Sequence, residues 1–121
     1  DWETYFLIGR SYVEREKDLP KAAKNLEAAL KIKPDLQCAE VWLARVQTTA
    51  RHKEVRDLDA GIDSLEKLWK RSDKQAWRIG QFLAEAYEAA GRGDEAEALL
   101  KEVEPLVPRE VRERGGTQRR R

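Results

Sequence analysis

The sequence predicts an all-α fold, a solenoid built by stacking helix pairs, and three observations predict it. First, the layout of residues 2–34 returns at 75–108. Ala22, Leu26, Ala29 and Pro34 have the same spacings as Ala96, Leu100, Val103 and Pro108. Self-similarity at a fixed period is the signature of repeat architectures. Second, apolar residues recur at steps of three and four, as in Leu7/Ile8 to Tyr12 and Ala22 to Leu26 to Ala29/Leu30, and no run alternates in the manner of a strand. Third, small residues stand at corresponding places: Gly9, Ala44 and Ala84, then Ala22, Gly61 and Ala96. A large side chain there would hold two helix backbones apart, and Tyr12, Leu26, Leu65, Tyr87 and Leu100 fill the space that remains.

Helices are expected over 2–16, 19–32, 36–53, 58–71, 74–90 and 94–106. Asp18 and Asp94 are placed to cap helix starts, with Pro20 at ease in a first turn. Pro34 and Pro108 stop helices, and Gly91-Arg92-Gly93 supplies a tight turn. The middle copy is the divergent one. Leu43-Ala44 opens it, Gln47 stands where the other copies have Tyr12 and Tyr87, and Gly61, Leu65, Leu68 and Asp73 keep the later spacings. It is stretched by about five residues across TTARHKEVRDLD (48–59). One helix pair cannot bury its own apolar stripe, so neighbouring pairs must stack.

Bulk composition narrows the class. The 121 residues suffice for one domain with a modest core. Charged residues are 39 % of the chain and its mean hydropathy is −0.80. These values fit thin layers of helix with much water-facing surface. The formal net charge is +1, with no global field for nucleic acid or membrane. Residues 109–121 carry six Arg and two Glu, a net +4, which leaves about −3 on residues 1–108 (1 − 4). That basic tail is expected as a disordered linker, or as a short helix over 107–114 capping the open end. No stretch approaches the ~20 apolar residues needed to span a bilayer. Cys38 is the single cysteine, so no intrachain disulfide forms, and a reducing, cytoplasmic setting is the expectation. The chain starts at Asp1 inside a helical pattern and reads as a fragment.

The pattern of Ile8-Gly9, Tyr12, Ala22, Leu26, Ala29 and Pro34, repeated at Leu83-Ala84, Tyr87, Ala96, Leu100, Val103 and Pro108, resembles the tetratricopeptide repeat. The resemblance covers residues 2–108 as three repeats, about 2–34, 36–73 and 75–108. It implies a right-handed α-solenoid whose first helices line a concave groove for a partner's peptide or helix. By spacing from Ile8, Leu43 and Leu83, it places Glu3, Phe6, Arg10, Val13 and Glu14 in the groove from the first repeat. From the second it places Cys38, Val41, Arg45, Thr48 and Thr49. From the third it places Arg78, Gln81, Glu85, Glu88 and Ala89. Phe6, Val13 and Val41 would be apolar anchors. Arg10 and Arg45, at equivalent positions, could fork a carboxylate or phosphate, or Arg45 could pair with Glu85. One subgroup of the family clamps the terminal carboxylate of chaperone tails with Lys and Asn. Phe6, Arg10 and Trp42 stand at those positions, so that clamp is not expected.

Other chemistry is poorly supported. No Ser-His-Asp or Cys-His set, metal cluster or phosphate loop is legible, so neither catalysis nor a cofactor is expected. His52, the only histidine, lies in a charged turn. Cys38 is expected as a buried or half-buried filler, and each tryptophan as inter-repeat packing, with Trp2 the one most open to solvent. Arg92-Gly93-Asp94 spells an adhesion tripeptide but already serves as turn and cap. No aromatic is interleaved with the tail arginines, so nucleic acid is an unfavoured partner. The reading is a non-catalytic module that binds a protein or peptide, with an acidic segment suited to Arg10, Arg45 and Arg78. The alternatives are a homo-oligomer formed through uncapped repeat ends, and RNA or an acidic surface on the tail.

Overall fold

The computed structural model describes residues 1–15, 17–51 and 56–119, with side chains described as far as residue 114. In order, α1 spans Trp2–Glu14, α2 Leu19–Ile32, α3 Gln37–Thr49, α4 Leu58–Arg71, α5 Trp77–Ala89 and α6 Gly93–Val103. A 3₁₀ turn over Glu104–Leu106 leads to α7, Arg109–Arg119. No strand occurs among the described residues. Each helix packs on the next from α1 to α6. The first helices of successive pairs also touch, α1 with α3 and α3 with α5. This is the expected solenoid of helix pairs.

The helix ends follow from local chemistry. Asp1 caps α1 by accepting from the Glu3 N–H at 2.6 Å. Asp18 takes a left-handed conformation (φ 45°), caps α2 through the Lys21 N–H at 3.3 Å, and is followed by Pro20 in the first turn. Asp57 caps α4 through the Ala60 N–H at 3.1 Å, and its own N–H donates to the Gln47 carbonyl at 2.9 Å. That second bond ties the far side of the 50–57 insertion back to α3.

Several boundaries differ from expectation. α3 ends at Thr49 rather than running to 53, because Ala50 turns extended (ψ 142°) with its methyl buried. Residues 52–55, His52 among them, lie outside the described residues, as does Glu16. α5 starts at Trp77 rather than 74. Asp73 and Lys74 both have positive φ (59° and 58°), and the Lys74 N–H closes on the Trp69 carbonyl at 3.1 Å to finish α4. Asp94 was expected as a cap but falls inside the first turn of α6. Arg92 is the N-cap residue, and no side chain caps that helix. Pro105 turns the end of α6 into the 3₁₀ segment. The tail forms α7, with Val111 packed on the core.

The core has two parts. One joins Ala22, Ala23, Leu26, Ala29, Leu36, Ala39, Val46 and Ala50; the other gathers Ala44, Ile62, Leu65, Leu68, Trp69 and the buried residues of α5 and α6. α3 contributes to both, through Ala39, Val46 and Ala50 on one side and Ala44 on the other. All six small positions are buried. The backbone of Gly80, which the repeat pattern did not single out, lies so close to its neighbours that an added Cβ would stand 2.5 Å from Val103 Cγ2 and 3.1 Å from the Trp69 ring.

At the α4–α5 junction the Tyr87 hydroxyl donates to Glu66 Oε2 at 2.6 Å, and the Arg92 guanidinium lies 4.5 Å from the Tyr87 ring centroid. Burial first, then the Glu66 carboxylate, pushes the Tyr87 phenol well above its ordinary value of 10.0. Arg92 also makes two 2.8 Å bonds to Glu95 and holds that carboxyl below its usual range. Tyr87→Phe is expected to cost about 1–2 kcal/mol, read as a lower urea midpoint at unchanged slope. The raised phenol sets the sign of the pH dependence. The difference between wild type and variant is present in full below pH 10.0 and declines above it, as the unfolded phenol ionises first.

Candidate functional site

Three first-helix positions are equivalent across the repeats. Leu7, Trp42 and Phe82 each precede the paired residues Ile8-Gly9, Leu43-Ala44 and Leu83-Ala84 by one, so they form a row across α1, α3 and α5. The next row, three residues on, is Arg10, Arg45 and Glu85. The two rows interlock. Arg10 bonds Glu14 at 2.8 Å, and its guanidinium lies 6.0 Å from the Trp42 ring centroid. The Trp42 and Phe82 rings meet at 6.3 Å and 52°. The Arg45 guanidinium sits 4.4 Å from the Phe82 centroid and is paired with Glu85. The chain of contacts runs Glu14–Arg10–Trp42–Phe82–Arg45–Glu85, reaching from the first repeat to the third.

This chain borders an open cleft of about 740 Å³, lined by Val13, Glu14, Asp18, Leu19, Trp42, Arg45, Thr49, Arg51 and Phe82. Its walls are aromatic and aliphatic, and its rim is charged. Arg10 and Arg45 are already neutralised by Glu14 and Glu85, and each guanidinium faces an aromatic ring. Of the two conceivable roles for Arg45, the structure shows the ion pair with Glu85. Both members stay partly open to water, which limits its worth to about 1 kcal/mol or less. Arg51, on the insertion, reaches the same cleft without a carboxylate partner among the described residues.

The remaining sequence-derived positions divide. Val13, Glu14, Arg45 and Thr49 line this cleft. Gln81, Glu85 and Glu88 line a separate concavity of about 280 Å³ with Ala84 and Leu100. Phe6 is half-buried against the first core cluster, and Val41 against the second. Thr48 is buried at 4 % exposure, its methyl against Gly61 and its hydroxyl donating to the Arg45 carbonyl at 3.1 Å. It belongs to the α3–α4 contact rather than to the groove surface. Glu3, Cys38 and Arg78 stand in the first turns of their helices and are exposed, as Ala89 is at the far end of α5. The expectation of a buried or half-buried Cys38 fails, because Ala39 takes the inward position in that turn. Trp2 is only half-exposed, with the Lys33 ammonium 4.8 Å from its ring centroid. Trp69 is buried and Trp77 lies under Arg78 at 4.7 Å. Trp42 packs on the first core cluster as expected and Phe82 on the second, and both are also the aromatic residues of the cleft. Their signal was available in the sequence as one position apolar in all three copies.

A tetratricopeptide-repeat family model matches residues 52–113, half of the chain. The chain belongs to the tetratricopeptide-repeat family. Neither a curated protein nor a solved structure matches it. The matched span covers α4, α5 and α6 and enters α7, so it holds the second half of the middle repeat and all of the third. Tetratricopeptide repeats generally mediate protein–protein interaction and are typically non-catalytic. Among the described residues no group of His, Cys, Asp or Glu is placed to hold a metal ion, and no helix is long and apolar enough to cross a membrane.

Proposed function

We propose that this tetratricopeptide-repeat chain is a non-catalytic recognition module whose concave cleft receives an extended or helical segment of a protein partner. The observation that carries this reading is the Trp42–Phe82 pair, partly open to solvent and walled by Val13 and Leu19. Tilted rings in a fixed cleft offer apolar area at low entropic cost, which is how binding hot spots are built. Two guanidinium–aromatic contacts hold the rings from either side, so the surface is pre-organised. The ligand chemistry follows. A large apolar side chain would rest on the ring pair, and an acidic neighbour would meet Arg51. Arg10 and Arg45 keep their internal partners and orient the rings.

The test is selection of a random displayed-peptide library on the wild-type chain, followed by affinity measurements on variants. Selected peptides are expected to share an aromatic or large aliphatic anchor beside an acidic residue. Trp42→Ala is expected to weaken them about tenfold or more, and Arg51→Ala by a smaller factor that shrinks with salt. Peptides that bind Trp42→Ala as tightly as wild type would place recognition elsewhere and sink this reading.

A further inference from the structure

Among the described residues, four charged side chains line the cleft: Glu14 and Asp18 from the first repeat, Arg45 and Arg51 from the second. Two of them are already engaged. Glu14 bonds Arg10, and Arg45 is paired with Glu85. The other two, Asp18 and Arg51, are exposed, and neither enters an ion pair among the described residues. They do not bridge to each other. α1 and α3 touch, so these free charges stand on neighbouring repeats, and the Trp42 and Phe82 rings open into the same cleft.

Both groups are held in place by the fold. Asp18 keeps a left-handed backbone (φ 45°, ψ 60°), and its Oδ1 accepts from the Lys21 N–H at 3.3 Å. The cap fixes the direction of the carboxylate and leaves Oδ2 without a partner among the described residues. Lys17 and Lys21 flank Asp18 in the chain, but neither lines the cleft, and the Lys21 ammonium stands 5.7 Å from the Tyr12 ring centroid. Arg51 follows the extended Ala50, whose buried methyl anchors the chain one residue earlier. The lining charges sum to zero, two acids against two bases. A run of acidic residues that satisfied Arg51 would also be pressed against Asp18, and like charges brought together cost affinity. The matching occupant is therefore not a polyanion.

We infer that the cleft selects a charge-balanced segment of its protein partner, in which one basic and one acidic side chain flank the apolar anchor. The basic side chain meets Asp18 on the first repeat, the acidic one meets Arg51 on the second, and the anchor rests on the ring pair. This rests on the cleft reading above and adds to it a carboxylate that calls for a cation, and a fixed order of charges along the solenoid. The order decides which end of the segment lies over the first repeat. Both pairs form at a water-exposed rim, so each supplies a few-fold in affinity. Discrimination against the reversed order is larger, because both pairs then become like-charge contacts.

A random displayed-peptide library selected in parallel on wild type, Asp18→Asn and Arg51→Glu tests the charge order. Asparagine keeps the helix cap and tolerates the left-handed backbone, so Asp18→Asn removes charge alone. Arg51 is exposed and has no hydrogen bond or ion pair among the described residues to lose. Wild type is expected to enrich one basic and one acidic residue around an apolar anchor. On Asp18→Asn the basic preference is expected to vanish while the acidic one stays. On Arg51→Glu a basic preference is expected to replace the acidic one. For a single peptide from the wild-type pool, Asp18→Asn is expected to weaken binding about three- to fivefold. Exchanging that peptide's basic and acidic residues is expected to weaken it about tenfold or more on wild type. A basic residue retained in full on Asp18→Asn, an acidic one retained on Arg51→Glu, or equal binding of the exchanged peptide overturns the inference. If the pools match while Trp42→Ala still weakens binding, the cleft reading stands and the charge order falls. If Trp42→Ala binds as tightly as wild type, both fall. If either charge variant lost its helical signal, the exchanged peptide on wild type would decide alone.

Discussion

Leu65→Ala is expected to destabilise the chain by about 3–4 kcal/mol. Leu65 has no exposed surface and lies in α4 among Ala44, Ile62, Leu68 and Leu83, in the larger of the two core clusters. Truncation removes three carbons from a site enclosed on every side. The transfer loss is then joined by the cost of a cavity that helix backbones cannot close. The place of Leu65 in the repeat sharpens the expectation. It shares that cluster with the small Ala44 of α3 and with Ile62, Leu68 and Leu83, side chains that are themselves buried and already packed. A chain of this size has about 5–15 kcal/mol in total, so the variant should show a markedly lower urea midpoint. Thermal unfolding followed by circular dichroism provides the second readout. A loss under 1 kcal/mol would mean that α4 collapses inward and the packing described for it is wrong.

Gly61→Val is expected to cost about 2–3 kcal/mol for the opposite reason, too much volume. A Cβ on Gly61 would lie 2.5 Å from Thr48 Cγ2 and 3.2 Å from the Ala44 carbonyl oxygen. The first contact is to a short β-branched side chain, and the second is to backbone. Relief therefore requires α3 and α4 to separate along their length. Replacing glycine within a helix would by itself be favourable by up to about 1 kcal/mol, so the net loss understates the steric cost. The cause is checked by a double-mutant cycle with Thr48→Ala, which removes the nearer obstruction. The two changes together are expected to cost less than their sum. Strict additivity would show that the close approach to Thr48 does not set the penalty.

Much of this architecture was written in the residue spacings. The small residues at Gly9, Ala22, Ala44, Gly61, Ala84 and Ala96 were expected inside, and all are inside, because close helix approach constrains volume at a few fixed places. Boundaries were less legible. The left-handed pair Asp73-Lys74 and the extended Ala50 are decisions of single residues, against which three- and four-residue periodicity carries little information. Gly80 shows the same limit, since its need for a small side chain comes from Trp69 and Val103 on two other helices. Of the arginine row, Arg45 borders the cleft as its position suggested, yet the aromatic row three residues earlier was passed over. Trp42 was expected as packing and does pack on the first core cluster, but the same ring also borders the cleft, and an apolar residue beside Leu-Ala has one sequence signature for both roles. Thr48 errs in the other direction, a polar residue whose methyl is used for packing.

The two core clusters meet along α3 alone, and that division bears on how the molecule comes apart. A layered stack with one shared helix has a natural line of parting. Amide exchange should be fastest in α1 and α2, slower in α3, and slowest in α4, α5 and α6, where the larger cluster lies. Opening from the first repeat would leave the latter half standing, with the Trp42–Phe82 contact broken only when α3 lets go. Recognition in the cleft would then act as a fastener across that line. A bound segment spanning α1, α3 and α5 would delay the first stage of unfolding more than the last, and would turn a molecule that opens in steps into one that opens at once.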